Sequence, residues 1–440
     1  MKKICLLAWV VILFFIINDV ALGFIDYTRI IGYNAPALGR GGTDVAIATL
    51  PSSLNVNPAG LTQLEGFQFE STLGLIHPTE IRFDYNGTGG ERYRTKDKDE
   101  VLFDPALSLG YHPQNKKWAV GLSIAAPDAL ATDYTFHSKY FGPVNSYSEY
   151  LHLRAGLGVA YQLTPQFSIG ARLDLNWQSF DLRLPLGIAY LDLGQCDGFG
   201  FSAGLGMLYK LDNLSFGFSW SSRTIMADLK SDPEAGYINM YDPATGDIAS
   251  ISRLNVKLKD FDSPHVFTWG IAYRPVEALR VSAELKYILW SDTFKTMKVR
   301  YSGPGAEALP TTAIDVPMNV KDQTPVGLGI EYFATEHLTL SFGYRYGDNA
   351  VPENNLLPQA PSIINHNWTL GIRYQLSQLN IALAYIHSEG EDLQATSRHA
   401  VDTAVEPQLG LPPRALDSEL NGSRLEEGID VFFITLSLPF

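Results

Sequence analysis

Cysteine is almost absent from this chain of 440 residues: there are two, Cys5 and Cys196. Cys5 sits in an N-terminal apolar run expected to be removed, so neither an internal disulfide nor a thiol pair for a structural metal remains. Charge is scarce as well. Asp, Glu, Lys and Arg make up 18% of residues, against about 25% in ordinary soluble domains. The charge present leans negative, with 47 acidic and 33 basic residues and a formal net charge of −14. That excludes a dedicated nucleic-acid binder, which needs a basic footprint. Beyond residue 23 no apolar stretch approaches the roughly 20 residues that span a bilayer as a helix. His-Glu-x-x-His does not occur and the 9 histidines are scattered. No catalytic residue, cofactor or metal site is expected, and the chain does not read as an enzyme.

Apolar and aromatic residues are plentiful, at 46% and 12%, too many for a disordered chain. At the N-terminus Lys2 and Lys3 precede the run Ile4–Ile17, and Ala21-Leu22-Gly23 supplies small residues before Phe24. This pattern reads as a cleavable secretory signal over residues 1–23. Downstream the dominant signal is period-two alternation. Phe167, Ile169, Ala171, Leu173, Leu175 and Trp177 share one face, while Ser168, Gly170, Arg172, Asp174, Asn176 and Gln178 share the other. The stretches 151–162, 279–287 and 338–346 alternate in the same way. Glycines 198, 200, 204 and 206 have no helical pattern after them and read as strand residues.

Short turns are expected near 113–116, 164–166, 212–213, 275–278, 334–337 and 377–378. Long polar segments are expected near 81–100, 128–147, 185–198, 230–262, 298–319, 347–364 and 390–428. The two kinds of connection alternate. Together with alternating strands long enough to cross a bilayer, this predicts an all-β fold, a transmembrane antiparallel β-barrel of about 14 strands over residues 66–440. The last strand ends in the aromatic Phe440, which resembles the signal read by the outer-membrane insertion machinery of Gram-negative cells. The loop with Lys96, Asp97, Lys98, Asp99 and Glu100 is expected to be solvated, with lipopolysaccharide as a possible contact.

Residues 24–65 break the alternation. They are rich in Gly, Ala and Pro and too apolar for a solvated tail, so they are expected to plug the lumen. Within them Gly39-Arg40-Gly41-Gly42, the apolar run that follows and Asn57-Pro58-Ala59-Gly60-Leu61 resemble the N-terminal hatch of FadL-type outer-membrane transporters. Segments 126–134, 286–295 and 351–376 add to the resemblance, which covers essentially the whole mature chain. It implies a barrel with a hatch that takes up long-chain fatty acids, or in relatives aromatic hydrocarbons. It also implies a hatch whose free end, here Phe24 and Ile25, reaches an internal ligand pocket, and a kinked third strand that lets substrate leave sideways. The third long loop, 185–198, is short for the family.

Several site residues are therefore expected. Gly39, Gly41, Gly42, Asn57, Pro58 and Ala59 would shape the hatch, with Asn57-Pro58-Ala59 structural rather than catalytic. Ala125, Ala126, Pro127 and Asp128 are candidates for a lateral gate, because proline cannot donate to a strand ladder; the alternative is that Pro127 only begins an external loop. Arg154 and Arg172, with Arg280, Lys286 and Arg345, would face the lumen, where a carboxylate ligand could meet a cation or Asp174 and Glu284 could neutralise them. The leading function is passive uptake of hydrophobic compounds, foremost long-chain fatty acids, by ligand capture, hatch movement and lateral release, with the protein as a monomer. The alternatives are an aromatic-hydrocarbon channel, a surface receptor or adhesin built on the long loops, a lipid hydrolase and a general porin.

Overall fold

The computed structural model describes residues 26, 28–87, 91–98, 101–395 and 397–440. The expected signal sequence, Phe24, Ile25, Asp99 and Glu100 lie outside the described residues. Antiparallel strands make one continuous 23-stranded sheet. It closes on itself where Gly66–Asn86 pairs with Arg424–Pro439, from Gln68 opposite Pro439 to Asp84 opposite Arg424. Phe440 completes the seam: its N–H donates to Phe67 O at 2.9 Å, and the two rings meet edge to face at 5.4 Å.

The expected count of about 14 strands is corrected: the closed barrel has 18. Starting at the seam, the ring runs through Gly66–Asn86, Leu102–His112, Trp118–Ser138, Gly142–Gln162 and Phe167–Leu186. It continues through Ala189–Asp192, Gly236–Tyr241, Ile248–Lys259, Leu229–Ser231 and Cys196–Lys210. It returns by Leu214–Ser221, Val266–Val276, Leu279–Ile288, Val326–Phe333, Leu338–Tyr346, Ile364–Gln375, Asn380–Gly390 and Arg424–Pro439. The additional strands, Ala189–Asp192, Gly236–Tyr241, Ile248–Lys259 and Leu229–Ser231, come from segments expected to be external loops.

The physical reason lies in strand length. Phe167–Leu186 has 20 residues, well beyond the roughly 9–11 that cross a bilayer. Its first part pairs directly with Cys196–Lys210, from Phe167 opposite Tyr209 to Phe180 opposite Cys196. Its last part, Arg183–Leu186, pairs instead with Ala189–Asp192. The additional strands thus form an upper tier standing on a wall that is already continuous beneath it. Apolar alternation above the membrane makes this tier: Leu182, Leu184 and Leu186, then Leu254, Val256 and Leu258, then Met297, Val299 and Tyr301 are all buried.

The expected loop 128–147 is likewise strand. Trp118–Ser138 and Gly142–Gln162 each have 21 residues and turn tightly between Ser138 and Gly142. The expected loop 81–100 is partly a hairpin of Arg92–Lys96 on Arg82–Asn86. Asp97 is buried rather than solvated and accepts the Asp133 N–H at 2.7 Å.

Wall residues are sorted inside out. Leu157, Leu173 and Phe201 are 63%, 72% and 67% exposed, while Arg172, Asp174 and Asn176 are buried. The buried polar face encloses residues 28–65, which fold as a helix Ala35–Leu38 and short 3-10 turns at Pro51–Asn55 and Pro58–Gln63. Asn34 and Asn57 cap two of them with side-chain oxygens, as N-cap asparagines do. The segment fits because the wall is thin opposite it. Gly41 has φ 70°, and its N–H would lie 2.1 Å from a Cβ at Gly343, so neither position admits a side chain without movement.

Candidate functional site

Charge anchors the N-terminal segment to the wall. Asp26 is buried and bonded to both arms of Arg345, at 3.0 Å to Nε and 2.8 Å to Nη2, with Lys286 Nζ at 3.5 Å. Burial acts to raise the Asp26 carboxyl, but Arg345 and Lys286 outweigh it and hold it below the usual carboxylate range. Arg40 binds Asp44, the carbonyls of Thr43 and Pro36, and Glu331, which also pairs with Arg280. Glu284 accepts from the N–H groups of Asp44 and Val45, and Glu70 accepts from both N–H and Oγ of Ser52. Arg172 donates to the carbonyls of Leu54 and Asn55 and pairs with Asp174 at 2.7 Å.

The Asn57 side chain is fully buried. Its Oδ1 accepts the Ala59 N–H at 3.1 Å, while its Nδ2 donates to Val45 O at 2.7 Å and to Met207 O on the wall at 2.9 Å. Pro58 and Ala59 continue this 3-10 turn and are buried. Gly39 packs on Gly371, and Gly42 has φ 75° against Ile31. Ser202, which lies in the Gly200-Phe201-Ser202-Ala203-Gly204 stretch, is not a nucleophile elbow: it sits within a strand and donates to Asp174 Oδ2 at 2.8 Å.

An apolar cavity of about 120 Å³ lies between the wall and the upper tier. Leu130, Phe180, Leu184, Ile238, Phe261 and Met297 are among its lining residues, and among the described residues no Asp, Glu, Lys or Arg lines it. The helix Ala400–Gln408 covers it with Val401 and Val405. Buried carboxylates hold this cover: Asp402 accepts from Ser418 N, Glu406 from Arg414 N and Leu416 N, and Glu419 from Lys139 N and Gly187 N. His399 caps the helix. Its Nδ1 accepts from Val401 N–H and its Nε2 faces Leu356 O. Burial pushes this imidazole down to about 4.

A second, polar cavity of about 40 Å³ is lined by Arg29, Tyr33, Asn55, Arg154, Glu284 and Lys286, among others. The N-terminal segment separates the two: Thr28 lines the apolar cavity and Arg29 the polar one. Arg154 donates to Tyr33 Oη and Asn55 Oδ1, and its Nε is buried without a hydrogen-bond partner among the described residues. Arg172 lines neither cavity.

Pro127 does not begin a loop. Its strand continues to Ser138, with Ala126 and Pro127 opposing the single residue Leu153 between the pairs Ala125–Arg154 and Asp128–His152. On the other side Leu102–His112 pairs with this strand only from Leu107–Ile124 to Tyr111–Val120. All of 102–112 pairs with Gly66–Asn86 along the strand's other edge, so among the described residues 102–106 have no ladder partner on the Trp118–Ser138 side. The wall is therefore unlaced just above Ile124. Ala125, Ala126 and Asp128 are buried there, and the N-terminal segment bonds to the strand: Ile30 N–H donates to Pro127 O at 3.3 Å and Ala129 N–H to Thr28 O at 3.0 Å.

Sequence reading singled out Ala125–Asp128 and Arg154 but missed the partners. Asp26, Arg29, His152 and Ser263 gave no local signal, because their meaning is long-range: the last three meet Asp128. Part of the cavity lining was readable as alternation in 182–186 and 297–301, at the borders of expected loops.

The family described as outer membrane protein transport protein (OMPP1/FadL/TodX) matches residues 32–412. No curated protein sequence matches the chain. Among solved structures, the toluene transporter TodX of P. putida superposes with a TM-score of 0.74 at 22% identity, covering 93% of this chain and 99% of that one. The toluene transporter TbuX of Ralstonia pickettii gives 0.67 at 20%, covering 93% and 98%. A FadL homologue of Pseudomonas aeruginosa gives 0.68 at 16%, covering 95% and 99%.

Proposed function

Since the chain belongs to the OMPP1/FadL/TodX family of outer-membrane transport proteins, we propose that it admits small neutral hydrophobic compounds of about one aromatic ring and releases them sideways into the membrane. Membership makes the chain a β-barrel of the Gram-negative outer membrane that transports hydrophobic compounds. The apolar cavity supports the choice of a small neutral ligand. Its volume of about 120 Å³ is on the scale of engineered cavities of about 150 Å³ that stay dry and bind benzene. Without a charged residue among the described lining, a carboxylate there has no cation to pair with.

In this reading ligand enters beneath the helix Ala400–Gln408, and residues 24–65 act as the hatch that closes the lumen to water. Asn57-Pro58-Ala59 and the glycines of 39–42 set the hatch's shape. Exit is at Ala125–Asp128, where an apolar compound passes into lipid without crossing water again. The protein works as a monomer, inserted by way of its C-terminal Phe440, with lipopolysaccharide around its outer rim.

A second reading, long-chain fatty acids, is favoured by the polar cavity, where Arg29, Arg154 and Lys286 outnumber Glu284. Uptake by a deletion strain carrying the gene, with toluene-sized hydrocarbons and long-chain fatty acids compared, separates the two. Hydrocarbon uptake that falls at least tenfold in Leu184→Trp, a cavity-filling change, is expected. Fatty-acid uptake lost in Arg154→Ala, with no hydrocarbon uptake in the parent, would replace the first reading by the second.

A further inference from the structure

The apolar cavity reaches solvent on the side of Pro310. Among its described lining residues Pro310 alone is exposed, while Leu309 beside it and Leu409 at the end of the covering helix are half-buried. Next along the chain from Pro310 is the strand Ala313–Pro317. It pairs with Thr296–Ser302 along one side, and among the described residues no strand takes the other. An open strand edge invites pairing and is usually covered. Here the cover is one side chain. The Asp315 N–H donates to Gln408 Oε1 at 2.7 Å, and Gln408 Nε2 donates to Asp315 O at 2.8 Å and to Ala404 O, one turn back, at 2.8 Å. The amide thus offers the strand one acceptor and one donor, as a neighbouring strand would. Among the described residues these are the hydrogen bonds by which 400–408 reach the tier. Asp402 and Glu406 instead turn back into the helix's own loop, to Ser418 and Leu416.

The cover is held unequally at its two sides. At Leu416–Glu419 it is fixed to the wall. The Glu419 carboxylate accepts from Ser138 Oγ, Lys139 N and Gly187 N, and a Cβ at Gly187 would lie 1.6 Å from Leu416 O. At the Gln408 end the fastening is a neutral, half-buried amide on a strand edge. Hydrogen bonds to a charged group are the stronger kind, so the first side is a hinge and the second a clasp. The last turn of the helix includes Pro407, which brings no N–H to it. Gly410 beyond it, at φ 67°, has open space where a Cβ would stand.

We propose that Gln408 is the gate residue of the apolar cavity: its amide clasps the free edge of Ala313–Pro317, and its release lets the end of the helix swing out and opens a mouth between Leu409 and Leu309–Pro310. Opening strands no buried polar group, because water replaces the amide at the Asp315 N–H and C=O. The mouth is apolar, so a neutral compound passes it without giving up hydrogen bonds. Gln408 does not itself line the cavity. It therefore sets the rate at which the cavity is reached and leaves affinity unchanged.

That this mouth serves uptake rests on the transport reading, but the gate is read without transport. A Met297→Cys thiol, buried in the cavity wall, is exposed to N-ethylmaleimide in the full-length mature protein in bilayers. Peptide mass spectrometry follows its modification beside that of native Cys196, which is buried in the same tier but does not line the cavity. Losing both bonds in Gln408→Met should speed modification of the cavity thiol roughly thirtyfold. Losing only the donor in Asp315→Pro, a change that a strand edge tolerates, should speed it roughly fivefold. Cys196 should keep its rate in both. An unchanged rate at the cavity thiol, or a matching acceleration at Cys196, overturns the gate. Asp315→Pro decides the matter if Gln408→Met fails to fold. Hydrocarbon uptake is measured on the same variants. A cavity thiol that responds while the parent carries no hydrocarbon sinks the transport reading and leaves the gate standing; hydrocarbon carried with no response at the thiol does the reverse.

Discussion

Replacing Asn57 by alanine isolates what holds the N-terminal segment in the lumen. The side chain makes one cap bond to Ala59 N–H and two bonds to the carbonyls of Val45 and Met207, and it is fully buried. Each bond contributes about 1 kcal/mol net, and losing an N-cap costs about 1 kcal/mol by itself. Of the three, the bond to Met207 reaches the wall and the other two hold the segment's own fold, so the alanine variant should lose about 3 kcal/mol of the folded, docked segment, roughly a hundredfold rise in its loosened forms. The barrel wall loses almost nothing, because Met207 keeps its place in the ladder opposite Ile169 and Phe218. Asn57→Asp should be worse than alanine: it keeps the cap acceptor but sets a buried carboxylate against two carbonyls. Single-channel conductance in planar bilayers and leakage of a small sugar from liposomes read the docking. Heat-modified mobility on gels shows that the barrel is folded. Conductance equal to the parent's in a folded Asn57→Ala barrel would refute the reasoning, and Asn57→Asp leaking less than Asn57→Ala would refute the ranking.

Other outcomes follow from the same geometry. Arg345→Met leaves the buried Asp26 carboxylate to Lys286 at 3.5 Å, a change of at most about 3–5 kcal/mol, and should expose Arg29 to trypsin; Asp26→Asn in the same chain should restore most of the protection. Deleting Pro127 leaves Ala126 opposite Leu153 and makes the ladder regular from Ala125–Arg154 to Asp128–His152, so uptake should fall at least tenfold in a barrel that still inserts; parental uptake would rule out exit at this bulge. The covering helix should loosen in acid. His399 titrates near 6.5 when unfolded and at about 4 when folded, so the unfolded form binds more protons between these values. Stability of the cover is then full above about pH 6.5 and is lost as pH falls toward 4, by at most about tenfold per pH unit. Hydrogen exchange at residues 400–408, corrected for intrinsic rates, should show this loss in the parent and not in His399→Gln.

The sequence by itself determined the class of the fold. Period-two alternation with an apolar outer face cannot be satisfied by a soluble sandwich of short strands, and the apolar, non-alternating stretch before residue 66 needed an enclosing wall. The wall's polar lining and the Asn57-Pro58-Ala59 cap were legible too, because capping and turn chemistry act within a few residues. The strand count was not. Residues 189–192 and 229–259 carry the charges and turns of a loop, and only pairing between strands far apart in sequence makes them a tier. The cavity followed the same rule: its walls come from at least six separated segments, none of which is a pocket alone. Pro127 marked a break in the ladder, but whether it began a loop or a bulge depended on Gly142–Gln162 running alongside it. The joining of Asp128 to Arg29 and His152 was decided by tertiary structure alone, since a buried charge acquires its meaning from partners that local sequence does not name.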